Sequence, residues 1–365
     1  MGGGETHLVN LAAGLRRRGH DVYVAHSTNS PLRQALLNAL PQEKLIPMPL
    51  RNALDIPGAR KLAAIVKERQ IELVHAHLAR DYPPAAYAVK RGRDARLVLT
   101  RHVLFPMSRL HSVVLANVSR VIAVSDAVAR ALAAQRVFPA AKIVVVRNGI
   151  DVDRFAANRQ GFDRSRFCRA QGIPEDRPLV GTVGEITRLK GHEDFVRAAA
   201  AVRTRIPNAH FIIAGQDQSP NQAAEKSLQH LIGELGVSDC VQRFGWLDNL
   251  ADLYCALDLF VSASHTESFG LAMVEAMASA TAVIATATEG AGEIIEDGLS
   301  GKLTPIADAQ ALANAVINLL RDDATRGQIA KAGALRAKEE FSLERMIAQT
   351  EQVYRSAIKT DENGS

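Results

Sequence analysis

Residues 257–277 read Leu257-Asp258-Leu259-Phe260-Val261-Ser262-Ala263-Ser264-His265-Thr266-Glu267-Ser268-Phe269-Gly270-Leu271-Ala272-Met273-Val274-Glu275-Ala276-Met277. A short apolar run over Leu257–Val261 gives way to a polar loop carrying Glu267 and Gly270, and a helix is predicted from Leu271. Leu271, Met273, Val274 and Met277 surround that helix with apolar side chains, so most of its faces should be buried. Glu275 is then a carboxylate inside an apolar element, where burial without partners is expensive. On spacing alone, a salt bridge to a neighbouring helix and hydrogen bonds from ligand hydroxyls meet that demand equally well.

The same alternation extends outward through the chain. Short runs at Val22–Ala25, Glu72–Ala76, Arg96–Thr100, Arg120–Val124 and Lys142–Val146 are separated by amphipathic stretches such as Leu8–Leu15 and Leu62–Val66. After Arg147-Asn148-Gly149-Ile150-Asp151 comes a polar, arginine-rich segment, and the pattern restarts with Leu179–Gly184, His210–Ala214, Val241–Phe244, Leu257–Val261 and Ala282–Ala285. Strands alternating with helices predict an α/β protein of two doubly wound, Rossmann-like units. The expected domains are residues 1–160 and 161–345, followed by a C-terminal helix and tail over 346–365. Three helical patterns run from Ala309 to Ile358, and Thr360–Ser365 reads as a disordered tail.

One irregularity stands at the start. A doubly wound domain opens with a strand, yet Met1-Gly2-Gly3-Gly4 reads as a glycine-rich turn leading straight into the Leu8–Leu15 helix. In the strand order 3-2-1-4-5-6 the first strand is central, so its absence should open a slot in the sheet. The expectation is a chain truncated at its amino terminus or given too late a start codon.

The chain has 365 residues, 47% hydrophobic and 23% charged, with a mean hydropathy of −0.03. That composition fits a soluble globular protein, and no apolar run approaches the roughly 18 residues of a spanning helix. No secretory signal is visible, so a cytoplasmic protein is expected. Cys168, Cys240 and Cys255 are widely spaced and form no Cys-x-x-Cys, so buried thiols are expected rather than disulfides or a zinc site. The formal charge of +5 hides an asymmetry: residues 1–160 hold 24 Lys and Arg against 11 Asp and Glu, and the remainder holds 20 against 28. A basic first half points to an anionic partner, the alternative being a solvated surface without a ligand.

Glu267 and Glu275, seven residues apart, resemble the Glu-x7-Glu motif of retaining glycosyltransferases of the GT-B fold, glycosyltransferase family 4. Val183-Gly184 through Lys190-Gly191, Ile213-Ala214-Gly215, Phe244-Gly245-Trp246, Ala256-Leu257-Asp258 and Glu289-Gly290-Ala291-Gly292-Glu293 follow the family's order and approximate spacing. In the first half Gly2–Glu5, His75-Ala76-His77, Thr100-Arg101-His102, Val124-Ser125-Asp126 and Asn148–Asp151 resemble it too, so nearly the whole chain is covered. The resemblance implies two Rossmann-like domains facing a cleft, an acceptor-binding first domain and a second domain binding a nucleotide-diphosphate sugar. Within the family the missing first strand is normally present.

The breaking glycosidic bond loads negative charge onto a diphosphate, which needs positive charge placed in advance. The resemblance assigns this to Lys190, Glu267 to the transferred sugar and Glu275 to the ribose hydroxyls. The family's usual arginine position is Glu185 here; Arg188 is either its replacement or a solvated loop residue. Gly184, Gly245, Trp246, Phe269, Gly270 and Leu271 complete the implied donor set, with backbone N–H groups at the Phe269–Leu271 helix start. His102 is the implied catalytic histidine, with Gly3, Gly4 and His77 on the acceptor side. His75 and His77 lie two apart and so share a strand face; strand-end packing accounts for both, and two histidines without a carboxylate are weak evidence for metal. Asp151-Val152-Asp153 mimics the metal-binding Asp-x-Asp of the other major glycosyltransferase fold, but its place in the linker argues against that role.

The expected function is therefore retaining transfer of a sugar from a nucleotide sugar to a saccharide or lipid-linked acceptor, in cell-surface polysaccharide or glycolipid synthesis. No cofactor and no metal is expected, and the basic half is expected to favour peripheral contact with the inner face of a membrane. The rivals are an epimerase or phosphorylase of the same fold and a nucleic-acid binding protein. Only 5% of residues are aromatic, with no basic cluster interleaved among them, which disfavours nucleic acid.

Overall fold

The computed structural model describes every residue except 1, 28–31, 49–51, 54, 93, 94, 109, 248 and 360–365; the tail expected over Thr360–Ser365 lies outside the described residues. The chain forms two compact units, Met1–Gly149 with Leu343–Ser365, and Ile150–Ser342. Both boundaries differ from those expected. Residues 152–160 form a helix capped by Asp151 and fastened to the second unit. There Asn158 donates to Asp252 at 3.1 Å, Arg159 to the Cys255 carbonyl at 2.6 Å, and the Phe155 and Tyr254 rings stand 6.2 Å apart. The helix Leu343–Lys359 instead buries Met346, Ile347 and Val353 against Leu11, Leu15, Val98 and Ile122 in the core of the first unit. With these boundaries the first unit holds 25 Lys and Arg against 13 Asp and Glu, and the second 19 against 26.

The first unit contains β1 (Val24–His26), β2 (Leu45–Pro47), β3 (Leu73–Ala76), β4 (Arg96–Arg101), β5 (Val118–Ala123) and β6 (Ile143–Val145). They form two parallel sheets, β1-β2 and β3-β4-β5-β6. Among the described residues no strand joins β1 to β3. Gly3 and Gly4 do not form the expected turn: they are the first residues of the helix Gly3–Arg17, whose Glu5 carboxylate accepts from the Gly2 N–H at 2.9 Å. The acidic residue reaching back to the orphan N–H groups lets the helix start this early.

The second unit is one parallel sheet of β7 (Leu179–Val183), β8 (His210–Ala214), β9 (Val241–Phe244), β10 (Leu259–Ser262), β11 (Ala282–Thr286) and β12 (Lys302–Thr304), in the order β12-β11-β10-β7-β8-β9. Every residue of β8 and β11 is buried, as expected for strands covered by helices on both faces. Leu257, expected to open β10, instead ends the helix Leu250–Ala256, its N–H donating to the Leu253 carbonyl. Side-chain caps start many helices: Asp163, Asp308 and Asp322 each accept from the backbone N–H three residues on, satisfying a donor that the helix itself cannot. The three cysteines are free and buried.

Candidate functional site

In the second unit the chain leaves β7 toward β8 and β9 on one side and later returns to place β10 on the other. The neighbours β7 and β10 therefore mark the point where strand order reverses, and open α/β sheets bind ligands beyond the carboxyl ends of strands at such a point. The loops after these two strands carry Lys190 and Glu267. Lys190 ends the short turn Arg188–Lys190, and its Nζ lies 2.6 Å from Glu267 Oε2. Ser264 Oγ donates to the same oxygen at 3.3 Å. The lysine keeps 33% of its side chain exposed and the glutamate 14%, so the pair is half-buried.

Gly184 follows β7, its N–H donating to the Ala214 carbonyl at 3.0 Å. Gly191 follows Lys190 at φ +64°, and a Cβ there would fall 1.9 Å from the Ala263 carbonyl oxygen at the end of β10. Glycine at this position lets the two loops approach and so brings Lys190 to Glu267. Gly270 caps the helix Leu271–Ala278 at φ 112°, with the Glu267 Cγ 3.2 Å from where a Cβ would stand.

Other residues of the donor set have different environments. Phe269 is buried and its ring meets Phe341 edge-on at 5.6 Å, so its side chain serves the core and only its backbone remains for a ligand. Glu275 accepts a hydrogen bond from Tyr254 at 2.8 Å, a helix partner of hydroxyl type where the sequence had weighed a salt bridge. Burial pushes the Glu275 carboxyl up to about 7, against the lowering effect of the Tyr254 hydroxyl. Arg188 and Glu185 are exposed, and Gly245 and the half-exposed Trp246 follow β9. Asp151 accepts from the Arg154 N–H at 3.1 Å, so helix capping accounts for the first carboxylate of the Asp-x-Asp.

In the first unit β3 and β4 end at a cluster of imidazoles. His75 is 2.6 Å from the Tyr354 hydroxyl through Nδ1 and 2.7 Å from Thr100 Oγ1 through Nε2, a packing role that engages both its nitrogens. His77 Nδ1 and His102 Nε2 stand 3.4 Å apart. His7, which sequence reasoning passed over, comes from the Gly3–Arg17 helix to lie 5.5 Å from the His77 ring and 4.9 Å from the His102 ring. Burial holds all four below their ordinary value, His7 at about 4 and His102 at about 3. At neutral pH these rings are uncharged, able to accept through one nitrogen and donate through the other. Gly3 lies exposed and Gly4 half-buried at the start of the helix that carries His7.

The family profile of Glycosyl transferases group 1 matches residues 163–336, and that of Glycosyltransferase Family 4 matches residues 1–154. The chain belongs to glycosyltransferase family 4. It is thus a glycosyltransferase with two Rossmann-like domains of the GT-B type. It is 27% identical over 320 residues to the N-acetyl-alpha-D-glucosaminyl L-malate synthase of Bacillus anthracis, spanning 85% of this chain and 81% of that protein. It is 34% identical over 229 residues to the D-inositol 3-phosphate glycosyltransferase of Corynebacterium urealyticum; that match spans 61% of this chain and about half, 53%, of the relative. Among solved structures, Anabaena HepE in complex with UDP-glucose superposes with a TM-score of 0.84 at 25% identity, covering 96% of each chain.

Proposed function

We propose that this glycosyltransferase moves a sugar from a nucleoside diphosphate sugar to a hydroxyl of an anionic acceptor, with retention at the anomeric carbon and no required metal. The observation that carries this reading is the Lys190–Glu267 pair at the β7/β10 reversal. A lone ammonium beside a carboxylate gives opposite charges for the two halves of a donor: Lys190 for the diphosphate, Glu267 for the sugar hydroxyls. Glu275 takes the ribose hydroxyls, with Tyr254 positioning its carboxylate. UDP-glucose bound to HepE supports a nucleotide-sugar donor.

In the proposed step the bond from the anomeric carbon to the diphosphate oxygen breaks while the acceptor oxygen bonds to that carbon on the same face. The acceptor proton passes to the departing phosphate oxygen, giving nucleoside diphosphate and glycoside. Lys190 stabilises the charge that grows on the diphosphate, and preorganised donors of this kind contribute about 3–4 kcal/mol. With Glu275 assigned to ribose and Glu267 to the sugar hydroxyls, the pair is not used as the acid and nucleophile of a double displacement. Neutral His102 serves the sugar or acceptor by hydrogen bonding.

Two names favour an acidic acceptor, L-malate in one relative and inositol 3-phosphate in the other, and the basic first unit would attract such a molecule. The same charge suits the head group of a lipid-linked acceptor at a membrane surface, in cell-surface glycan or glycolipid synthesis within the cytoplasm. No helix among the described residues is long and apolar enough to cross a membrane. The test is nucleoside diphosphate release from UDP, GDP and ADP sugars, with and without L-malate, inositol phosphate and polyprenyl phosphate saccharides. Acceptor-dependent release from one donor class is expected. Epimerisation of donor alone, or phosphorolysis, would overturn the reading.

A further inference from the structure

His7, His77 and His102 come from three different elements of the first unit, yet one ring nitrogen from each lies within 4.8 Å of the other two. The closest pair, His77 Nδ1 and His102 Nε2, is 3.4 Å apart. Two imidazole nitrogens each about 2.1 Å from a tetrahedral zinc ion stand about 3.4 Å apart, so this separation already matches one edge of such a site. His7 is only 4% exposed, and its ring nitrogens make no hydrogen bond of good geometry among the described residues, the Asn148 side chain beside it raising its pKa only against the larger effect of burial. A buried polar group left without a good partner is costly, and a ligand bond relieves that cost.

Packing also fixes which rings are available. His75 lies against His77 with ring centroids 4.1 Å apart and planes tilted by 38°, and its nitrogens are engaged by Tyr354 and Thr100. It packs beside His77 without competing as a ligand. The other three rings are neutral at physiological pH because burial disfavours their charged forms, and the neutral ring is the form that binds metal. Among the described residues no carboxylate or thiol joins the group. An all-imidazole set suits zinc, copper, nickel or cobalt and not magnesium or calcium, which take oxygen ligands.

We propose that His7, His77 and His102 form a binding site for a divalent first-row transition ion, zinc being the best fit, with a fourth position open to water or an oxygen ligand. The ion is not needed for sugar transfer. It holds His77 and His102, so its binding competes with acceptor use; that consequence rests on the acceptor-side reading of these histidines, whereas the site itself does not.

The direct test titrates untagged, chelator-treated protein with Co2+, followed by visible absorption, and with Zn2+ against a chromophoric chelator, in the absence of donor and acceptor. One ion per chain is expected, with the intense bands of four-coordinate cobalt. Losing an outer partner costs a metal site about 10–100-fold in affinity, so His7→Ala and His77→Ala should each lower it by at least about 100-fold. Exposed His230→Ala should leave it unchanged, and circular dichroism with thermal melting checks folding. His7→Phe, which fills the space but offers no ligand, keeps the test valid if the alanine variant does not fold. Binding that survives both His7→Phe and His77→Ala, or less than one ion per chain at micromolar metal, overturns the site. A bound ion that leaves acceptor-dependent transfer untouched upholds the site and overturns the acceptor-side placement of His77 and His102.

Discussion

Lys190 Nζ stands 2.6 Å from Glu267 Oε2 across the loops that follow the neighbouring strands β7 and β10. In a resting protein this is an ion pair; in the proposed reaction the same ammonium turns to the diphosphate while the carboxylate meets sugar hydroxyls. Replacing Lys190 by alanine should lower kcat by about 10²–10³, the usual loss for one preorganised donor to developing charge. The Lys190→Arg variant should recover part of it. Steady-state kinetics with a saturating donor measures this, and full activity in Lys190→Ala would remove the lysine from the diphosphate.

Glu275 has a folded-state value of about 7 against an ordinary 4.5, so folding favours its protonated form. The stability this group contributes is present below pH 4.5 and is lost as pH rises through 7. Each tenfold change in a protonation equilibrium corresponds to about 1.4 kcal/mol, so Glu275→Gln should gain up to about 3 kcal/mol over the parent protein between pH 4.5 and 8. Donor affinity should fall in the same variant, because a carboxylate that accepts from ribose hydroxyls is gone. Denaturant midpoints across that pH range check the first part, and a pH-independent difference would contradict it.

Glu351 is paired with Arg355 at 2.7 Å, Arg18 at 2.9 Å and His20 at 3.2 Å. Hydrogen bonds from Arg355 and then Arg18 hold its carboxyl down at about 2. Its stabilising contribution is therefore present above the ordinary carboxylate range and lost as pH falls through about 2. Glu351→Gln should lower the melting temperature at pH 7, with the gap to the parent closing as pH approaches 2.

Gly191→Ala should destabilise the second unit by at least about 2 kcal/mol, since a positive φ and a backbone clash act together. The added Cβ would lie 1.9 Å from the Ala263 carbonyl oxygen, which belongs to backbone and cannot rotate aside. A urea midpoint equal to that of the parent would show that the two loops separate at little cost.

Attraction of an acidic acceptor to the first unit, with its 25 basic and 13 acidic residues, should weaken with salt as the Debye length shortens from about 10 Å at 0.1 M to about 3 Å at 1 M. The KM for the acceptor should rise with ionic strength while kcat changes little. An acceptor KM indifferent to salt would leave the basic surface without that role.

The fold was legible where alternation was long and regular. The runs at His210–Ala214, Val241–Phe244 and Ala282–Ala285 became β8, β9 and β11 almost residue for residue. Of the four three-residue strands, β1 and β6 lay within the apolar runs Val22–Ala25 and Lys142–Val146, whereas β2 and β12 fell in no such run and escaped notice. The domain boundary was misplaced because composition marks Gly161, whereas packing decides it: Phe155, Asn158 and Arg159 reach the second unit. Lys190 and Glu267 were singled out through the family resemblance, and their contact depends on strand order, which brings β10 beside β7. His7 and Tyr254 left no local signal, since their partners are distant in sequence and only the folded chain joins them. The departure at Glu185 was visible in the sequence, and Arg188 lies exposed beside Lys190 in the same turn.

The most direct test of the account is the anomeric configuration of the product formed from an α-linked nucleotide sugar, read by proton NMR in buffer containing a metal chelator. The account predicts an α-linked glycoside, formed only with acceptor present and lost in Lys190→Ala. A β-linked product, or transfer that the chelator abolishes, would contradict it.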